Sequence, residues 1–160
     1  MTDDTPAPPA LTPAGSLAEG GLHELLGYQL ALAAIRTTDA FARVVGKPLA
    51  LHRVEFTVLQ LVRENSPVTA TRLARALAVT TPGVTVWLDR LEKRGLVARE
   101  RSAVDRRSQN LAITADGEAL VTAALQRLLL SDRELMKQLS EGERRMLLEL
   151  LQKFVRLHGR

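Results

Sequence analysis

Hydrophobic residues recur at helical spacing along most of this chain. Between residues 22 and 45, leucine, phenylalanine and valine return every three or four positions, which predicts one helix that Gly46 and Pro48 bring to an end. The same spacing predicts a second helix over residues 53–64, followed by a break at residues 65–67, where the sequence is Asn-Ser-Pro.

Two shorter helices are expected next. The apolar positions predict one over residues 70–77 and another over residues 82–94, separated by a tight connection. Thr81 is expected to cap the N-terminus of the second, with Pro82 at the first helical position, where its missing N–H group costs nothing. Gly95 then suits the positive φ of a residue just beyond a helix end.

The period of the pattern then changes to two. Residues 96–101 and 109–113 predict two short strands, joined by a polar, charged hairpin over residues 102–108. Two helices joined by a short turn and followed by such a hairpin form a winged helix-turn-helix. The predicted fold class is therefore mainly α, with a winged helix-turn-helix lobe that carries a two-stranded wing.

The C-terminal third of the chain is rich in leucine. Thr114 is expected to begin a helix, Ser131 and Asp132 to interrupt the helical pattern, and Ser140 and Glu143 to form a capping box at the start of the last helix. The leucines here exceed what two helices need to cover one small lobe, so they predict association through an exposed apolar stripe. The alternative is the core of a single-chain bundle.

Composition excludes several classes of protein. The chain has 160 residues, 46% of them hydrophobic, which is enough for one core. It has no cysteine, and its three histidines lack metal-ligand spacing, so we expect no thiol chemistry, no metal and no cofactor. We also expect no membrane span and no signal peptide, and hence a cytoplasmic protein. Residues 1–20 contain four of the seven prolines and are expected to form a disordered arm.

The formal net charge of +4 is unevenly distributed. Residues 1–20 hold three acidic and no basic residues, which leaves +7 on the rest of the chain. Between positions 81 and 110 there are seven basic residues against four acidic ones. Such an excess suits an anionic partner, and composition alone leaves open whether this is nucleic acid or an acidic membrane surface.

The predicted helix over residues 82–94 carries the chemistry that favours nucleic acid. It has the size that fits a major groove, and its N-terminus presents N–H groups suited to phosphate. Thr81, Thr85 and Val86 lie opposite its apolar stripe and offer hydroxyl and methyl groups to phosphates or base edges. Arg106 and Arg107, at the hairpin tip, are placed to reach a minor groove. The plainer interpretations are a helix cap at Thr81 and a solvated charge pair at the tip.

The sequence between Leu73 and Gly117 closely resembles the MarR family of bacterial transcription regulators. The resemblance rests on Leu-Asp-Arg-Leu at 88–91, Gly-Leu-Val at 95–97 with Arg99, Asp105-x-Arg107, and Thr-x-x-Gly at 114–117. With the flanking helices it covers residues 22–158.

The resemblance implies a homodimer with no catalytic activity, bound to double-stranded DNA at a pseudo-palindrome. It implies that the helix at 82–94 enters the major groove, that Arg107 approaches the minor groove, and that Asp89 pairs with Arg107 to hold the wing. Asp105 belongs to the same wing-anchoring signature. Many relatives have Arg at the position of Val86, so a strong guanine contact is expected to be missing here. The candidate DNA-contacting residues are Thr80, Thr81, Thr85, Val86, Arg90, Arg101, Arg106 and Arg107.

Members of this family commonly bind small lipophilic or phenolic ligands in a crevice beside the dimer helices. The resemblance makes His23, Tyr28 and His52 candidates for such a pocket, with a structural role or simple exposure as the plainer interpretation of each. The absence of cysteine argues against peroxide sensing through a thiol.

The expected function is therefore that of a DNA-binding transcription regulator modulated by a small molecule. A repressor is favoured over an activator. The alternative is a winged-helix module that binds another protein without specific DNA readout. An enzyme is disfavoured because no phosphate loop, catalytic triad or paired acids are recognisable. The expected domains are an arm at 1–20, a dimerisation helix at 21–48, a DNA-binding lobe at 49–114 and dimerisation helices at 115–160.

Overall fold

The computed structural model describes residues 12, 15, 17–101 and 109–156. The chain divides between Ala40 and Phe41 into two compact units. Within the described residues, no helix is both long enough and apolar enough to cross a bilayer.

The first unit contains a short 3₁₀ turn and most of one helix. The turn spans Gly20–Glu24, and helix α1 spans Leu26–Phe41. Leu25 separates them in an extended conformation, with φ −83° and ψ 117°. The single helix predicted from residue 22 is therefore wrong at its start, because the turn closes on i→i+3 bonds that end at the carbonyl of Leu22.

The second unit begins with a helical segment that runs further than the sequence predicts. A π-helical turn at Ala42–Gly46 leads directly into the short helix α2 at Lys47–Leu49. Pro48 is accepted because it lies in the first turn of α2, where its missing N–H group has no helical partner in any case. The chain leaves helical geometry only at Ala50, which has a left-handed φ of 46°.

The DNA-binding lobe predicted from the sequence contains three helices and a small sheet. Helix α3 spans Arg53–Asn65, α4 spans Ala70–Ala76 and α5 spans Thr81–Lys93. The two predicted strands are present as β2 at Val97–Arg101 and β3 at Gln109–Ile113.

A short third strand, β1 at Val68–Thr69, was not predicted. It pairs with β3, Val68 opposite Leu111, to give an antiparallel sheet of order β1-β3-β2. Two residues are too few to show an alternating pattern, so this strand is recognisable only through its partner.

The hydrophobic core lies between the helices of this lobe and the inner side of the sheet. Helix α5 contributes its predicted stripe, in which Val84, Leu88 and Leu91 are buried. The other fully buried large side chains of the second unit are Val45, Leu51, Val58, Leu59, Val62, Leu111 and Val121.

Two helices complete the chain. Helix α6 spans Ala115–Leu135 and begins at Thr114, whose hydroxyl accepts from the N–H of Gly117 at 3.0 Å. It runs without interruption through Ser131 and Asp132, so the break predicted there is wrong; isolated polar residues do not end a helix where no Gly or Pro lies beside them.

The predicted capping box between Ser140 and Glu143 is confirmed. The N–H of Ser140 donates to Oε2 of Glu143 at 2.7 Å, and the N–H of Glu143 donates to Oγ of Ser140 at 3.3 Å. It opens helix α7 at Glu141–Arg156, in which no residue is buried in the single chain.

Candidate nucleic-acid interface

A tight turn connects α4 to α5. Ala78 takes a left-handed φ of 54°, and the N–H of Val79 donates to the carbonyl of Ala74 at 3.0 Å. This bond satisfies a carbonyl at the end of α4 and reverses the chain direction within a few residues. Because Leu73 of α4 and Val84 of α5 are both buried, the two helices share one core and α5 keeps its opposite face free.

Thr80, and not Thr81, caps the N-terminus of α5. The side-chain oxygen of Thr80 accepts from the N–H of Gly83 at 3.4 Å. Thr81 is the first residue of the helix, so the predicted cap is wrong by one position. The two adjacent threonines are chemically equivalent as caps. Pro82 fits the first turn whichever threonine is the cap, because the N–H groups of the first turn have no intrahelical acceptor.

The exposed face of α5 presents methyl and hydroxyl groups. Val86 is 51% exposed, a large fraction for a valine in the middle of a helix. Thr85 is half-buried, and its hydroxyl donates to the carbonyl of Thr81 at 3.0 Å. That bond leaves the hydroxyl oxygen able to accept a further hydrogen bond. The face therefore combines an apolar surface suited to thymine methyl groups with polar atoms at its N-terminal end.

An ion-pair cluster that the sequence did not predict ties α5 to strand β2. The guanidinium of Arg99 pairs with a carboxylate oxygen of Asp89, and its Nε lies 3.0 Å from Oε2 of Glu92. The side chain of Arg99 is only 26% exposed, so this cluster is screened less than a fully exposed pair. The i,i+3 spacing of Asp89 and Glu92 does indicate in the sequence that the two carboxylates share one side of the helix. That Arg99 is their partner becomes clear only once the position of strand β2 is known.

The wing residues fall largely outside the described part of the chain. Strand β2 ends opposite Gln109, where Arg101 pairs with it in the register of the sheet. Asp105, Arg106 and Arg107 lie outside the described residues, as does the side chain of Arg101. The expected ion pair between Asp89 and Arg107 therefore stays a prediction. The ion pair that the structure shows for Asp89 is the one with Arg99.

Arg90 lies at the other end of the exposed face. Its side chain is 58% exposed, and its Nη1 lies 3.9 Å from Oε1 of Glu55. Glu55 is itself buried, which could not be predicted because a single glutamate in a helix gives no local signal of burial. Arg90 thus has both an internal partner and access to solvent.

The candidate ligand residues have local partners in their own units. In the first unit, Nδ1 of His23 lies 2.5 Å from the carbonyl oxygen of Gly20. The hydroxyl of Tyr28 donates to Oε1 of Glu19 at 3.0 Å, and this hydrogen bond raises the pKa of the Tyr28 phenol above its ordinary value. In the second unit, His52 lies on the wall of a cavity of about 340 Å³, and its N–H donates to Oε2 of Glu55 at 3.0 Å.

Comparison with known proteins identifies relatives along most of the chain. Residues 51–109 match the MarR family. The putative transcriptional regulatory protein for the hcr operon of Thauera aromatica is 27% identical over 148 residues, which are 92% of this chain and 89% of that relative.

Two solved structures of one repressor match closely. The transcriptional repressor CouR bound to a 23-mer DNA duplex is 34% identical, with a TM-score of 0.81, and the match covers 88% of this chain and 99% of that one. CouR bound to p-coumaroyl-CoA is 32% identical, with a TM-score of 0.76 over the same shares. Family match, identity and coverage agree with the winged helix-turn-helix described above, and the chain belongs to the MarR family of transcriptional regulators.

Proposed function

We propose that this chain is a sequence-specific repressor that acts as a homodimer on a pseudo-palindromic operator. The observation that carries the proposal is the accessible face of α5, where Val86 is exposed opposite the buried stripe and the half-buried Thr81 and Thr85 lie beside it. A helix presented in this way fits the major groove of B-DNA, about 12 Å wide. The relative CouR, a transcriptional repressor bound to a DNA duplex, supports the same use of the fold.

Base readout would depend on apolar contacts. With Val86 exposed in the centre of the helix, the surface offers methyl groups where an arginine would offer a bidentate donor to guanine. We therefore expect half-sites rich in A·T pairs, with thymine methyl groups packed against Val86 and Thr85. Neighbouring positions would be recognised through DNA shape.

Phosphate contacts would supply most of the affinity. The N-terminus of α5 offers N–H groups beside Thr80 and Thr81, and Arg90 is exposed enough to reach the backbone. Arg101, Arg106 and Arg107 are proposed to act from the wing, with Asp89 and Asp105 anchoring it. Binding through so many cations should weaken steeply as salt rises.

A second copy of the chain is the proposed occupant of the apolar face of α7. In the single chain, Leu150 is 55% exposed, Phe154 41% and Met146 61%. Three large apolar side chains exposed together are unusual for a surface helix of 16 residues. Residues 21–48 and 115–160 would form the dimer lobe and residues 49–114 the DNA-binding lobe. A symmetric dimer would place two copies of α5 about 34 Å apart, one helical turn of DNA.

A small ligand is proposed to modulate DNA binding. Because the relative CouR has been solved bound to p-coumaroyl-CoA, phenolic or otherwise lipophilic compounds are the class of ligand to test first. His23, Tyr28 and His52 are the candidate pocket residues of this chain. Such a ligand would act by stabilising dimers whose two α5 helices are wrongly spaced for successive grooves. As a regulator of this kind works on DNA, we expect the protein in the cytoplasm.

Selection from a random duplex pool at near-physiological salt tests the proposal, with wild type and Arg107→Ala side by side. We expect wild type to enrich a two-fold-symmetric motif and Arg107→Ala to enrich it less strongly. Weak binding without a motif, equal in both proteins, would contradict the proposal and favour the rival function, a winged helix that binds another protein.

A further inference from the structure

Glu55 is a buried carboxylate in the first turn of α3. Its side chain is 4% exposed. A glutamate is almost never buried to this extent unless it is paired, because removing a carboxylate from water is costly. One of its oxygens, Oε2, accepts from the N–H of His52 at 3.0 Å, which satisfies one free donor at the start of the helix.

Two arginines at the C-terminal end of α5 lie within 4 Å of the Glu55 carboxylate among the described residues. Nη1 of Arg90 lies 3.9 Å from Oε1 and Nη1 of Arg94 lies 3.9 Å from Oε2. Arg90 and Arg94 are four residues apart and so lie on one side of their helix. Glu55 therefore faces the end of α5 with one oxygen toward each arginine.

Arg94 also binds the backbone of the turn before α3. Its Nη1 donates to the carbonyl of Ala50 at 2.8 Å and its Nη2 to the carbonyl of Leu49 at 3.3 Å. These carbonyls end α2, at the point where Ala50 takes its left-handed φ. A guanidinium can hold two carbonyls and a carboxylate at fixed angles, whereas a lysine ammonium acts as a single point charge.

We infer that Glu55 and Arg94 are positioning residues that set the orientation of α5 for DNA readout. The inference rests on the proposed function. Arg94 fastens the C-terminal end of α5 to the turn at Leu49 and Ala50, and Glu55 fixes that guanidinium from inside the lobe. The buried stripe of α5 holds the helix against the core of the lobe, and the attachment at Arg94 fixes its C-terminal end, so loss of this attachment lets that end tilt in the groove.

The attachment also involves two residues in the wall of the cavity beside His52. Ala50 and His52 line that cavity, and the carbonyl of the first and the N–H of the second are the groups bound by Arg94 and Glu55. A change in the shape of the cavity therefore moves groups that hold the end of α5. The same attachment links the start of α3 to the DNA-binding face.

The test compares affinity for the duplex selected by wild type with affinity for a random duplex of equal length. The variants are Arg94→Lys, which keeps the charge but not the fork, Arg94→Met, and Glu55→Gln, which keeps a hydrogen-bond acceptor for His52. Lys93→Met is the matched control, because it removes a positive charge from the neighbouring exposed position of the same helix. Thermal unfolding of each variant is followed in parallel.

We expect each Arg94 variant to lower the preference for the selected duplex about tenfold, the change expected for loss of a hydrogen bond to a charged group. Glu55→Gln should lower it in the same direction, and the double variant Glu55→Gln/Arg94→Lys should lose less than the sum of the single effects. Lys93→Met should weaken binding to both duplexes equally.

Unchanged preference in Arg94→Lys and Glu55→Gln, with or without a lower Tm, would overturn the inference and leave the proposed function intact. If Arg94→Lys kept the wild-type preference while Arg94→Met lost it, the inference would also be overturned. A positive charge alone would then suffice, without the forked geometry of the guanidinium. A wild-type protein that binds both duplexes equally would overturn the proposed function and this inference together.

Discussion

The guanidinium of Arg99 on strand β2 is paired with the carboxylate of Asp89 on helix α5. The same guanidinium lies beside Glu92, one turn further along α5. This contact joins the strand that leads into the wing to the helix that presents Thr85 and Val86. Strand β2 and helix α5 are therefore fastened by a charged side chain in addition to the shared core.

Arg99→Met should weaken binding to the selected duplex several-fold while costing less than about 1 kcal/mol of unfolding free energy, since partly exposed ion pairs contribute little to stability. Strand β2 would lose its charged attachment to α5, and binding would then carry the entropic cost of ordering the strand against the helix. Dissociation constants and urea unfolding measure the two effects. Glu92→Gln, which leaves the Asp89 pair in place, should change binding less; an equal loss would contradict the role given to Asp89.

Thr80→Ala should lower the free energy of unfolding by about 1 kcal/mol, because the N–H of Gly83 loses its side-chain acceptor. Thr80→Asp should retain most of the stability, since aspartate caps equally well. Thr81→Ala is the matched control at the adjacent position. If Thr81→Ala proves the more costly of the two alanine variants, the cap lies where the sequence suggested and not where the structure has it.

Gly117→Ala should destabilise the protein by about 3 kcal/mol, at the upper end of the usual cost of overpacking. A Cβ atom at this position would lie 2.1 Å from the carbonyl oxygen of Leu96, which is backbone and cannot rotate away. Gly142→Ala provides the control, because its Cβ would meet nothing within 4 Å and alanine favours a helix. A thermal scan that showed the same Tm for both variants would contradict this packing.

Leu150→Glu should separate the proposed homodimer into monomers at concentrations where wild type is dimeric. The substitution places a charge in the centre of the apolar face of α7, and its burial would cost more than the interface can offset. Glu149→Lys, a charge reversal at the neighbouring exposed position, should leave the mass unchanged. Sedimentation velocity distinguishes the two, and a monomeric wild type would remove the basis of the proposal.

The main elements of the lobe could be predicted because their signals are local. The stripe of Val84, Leu88 and Leu91 is visible as a 3.6-residue period, and the strands as a period of two. The family match over residues 51–109 then confirmed the family that Gly-Leu-Val at 95–97 suggested.

The features that sequence reasoning missed depend on distant parts of the chain. Strand β1 exists because Val68 pairs with Leu111, 43 positions later, and Glu55 is buried because α5 covers it. The left-handed conformation at Ala50 could not be predicted, because the residue is not the glycine that usually marks a positive φ. Of the candidate site, Thr81, Thr85 and Val86 lie on α5, as expected, whereas the wing-tip residues Arg106 and Arg107 fall outside the described residues.

Selection from a random duplex pool with wild type and Val86→Arg side by side shows whether α5 contacts base edges in the major groove. Arg in place of Val86 adds a bidentate donor for guanine without changing the dimer. We predict two symmetric motifs with the same half-site spacing, in which the variant gains a G·C pair at one position of each half-site. Identical motifs from both proteins would contradict the placement of α5 in the groove.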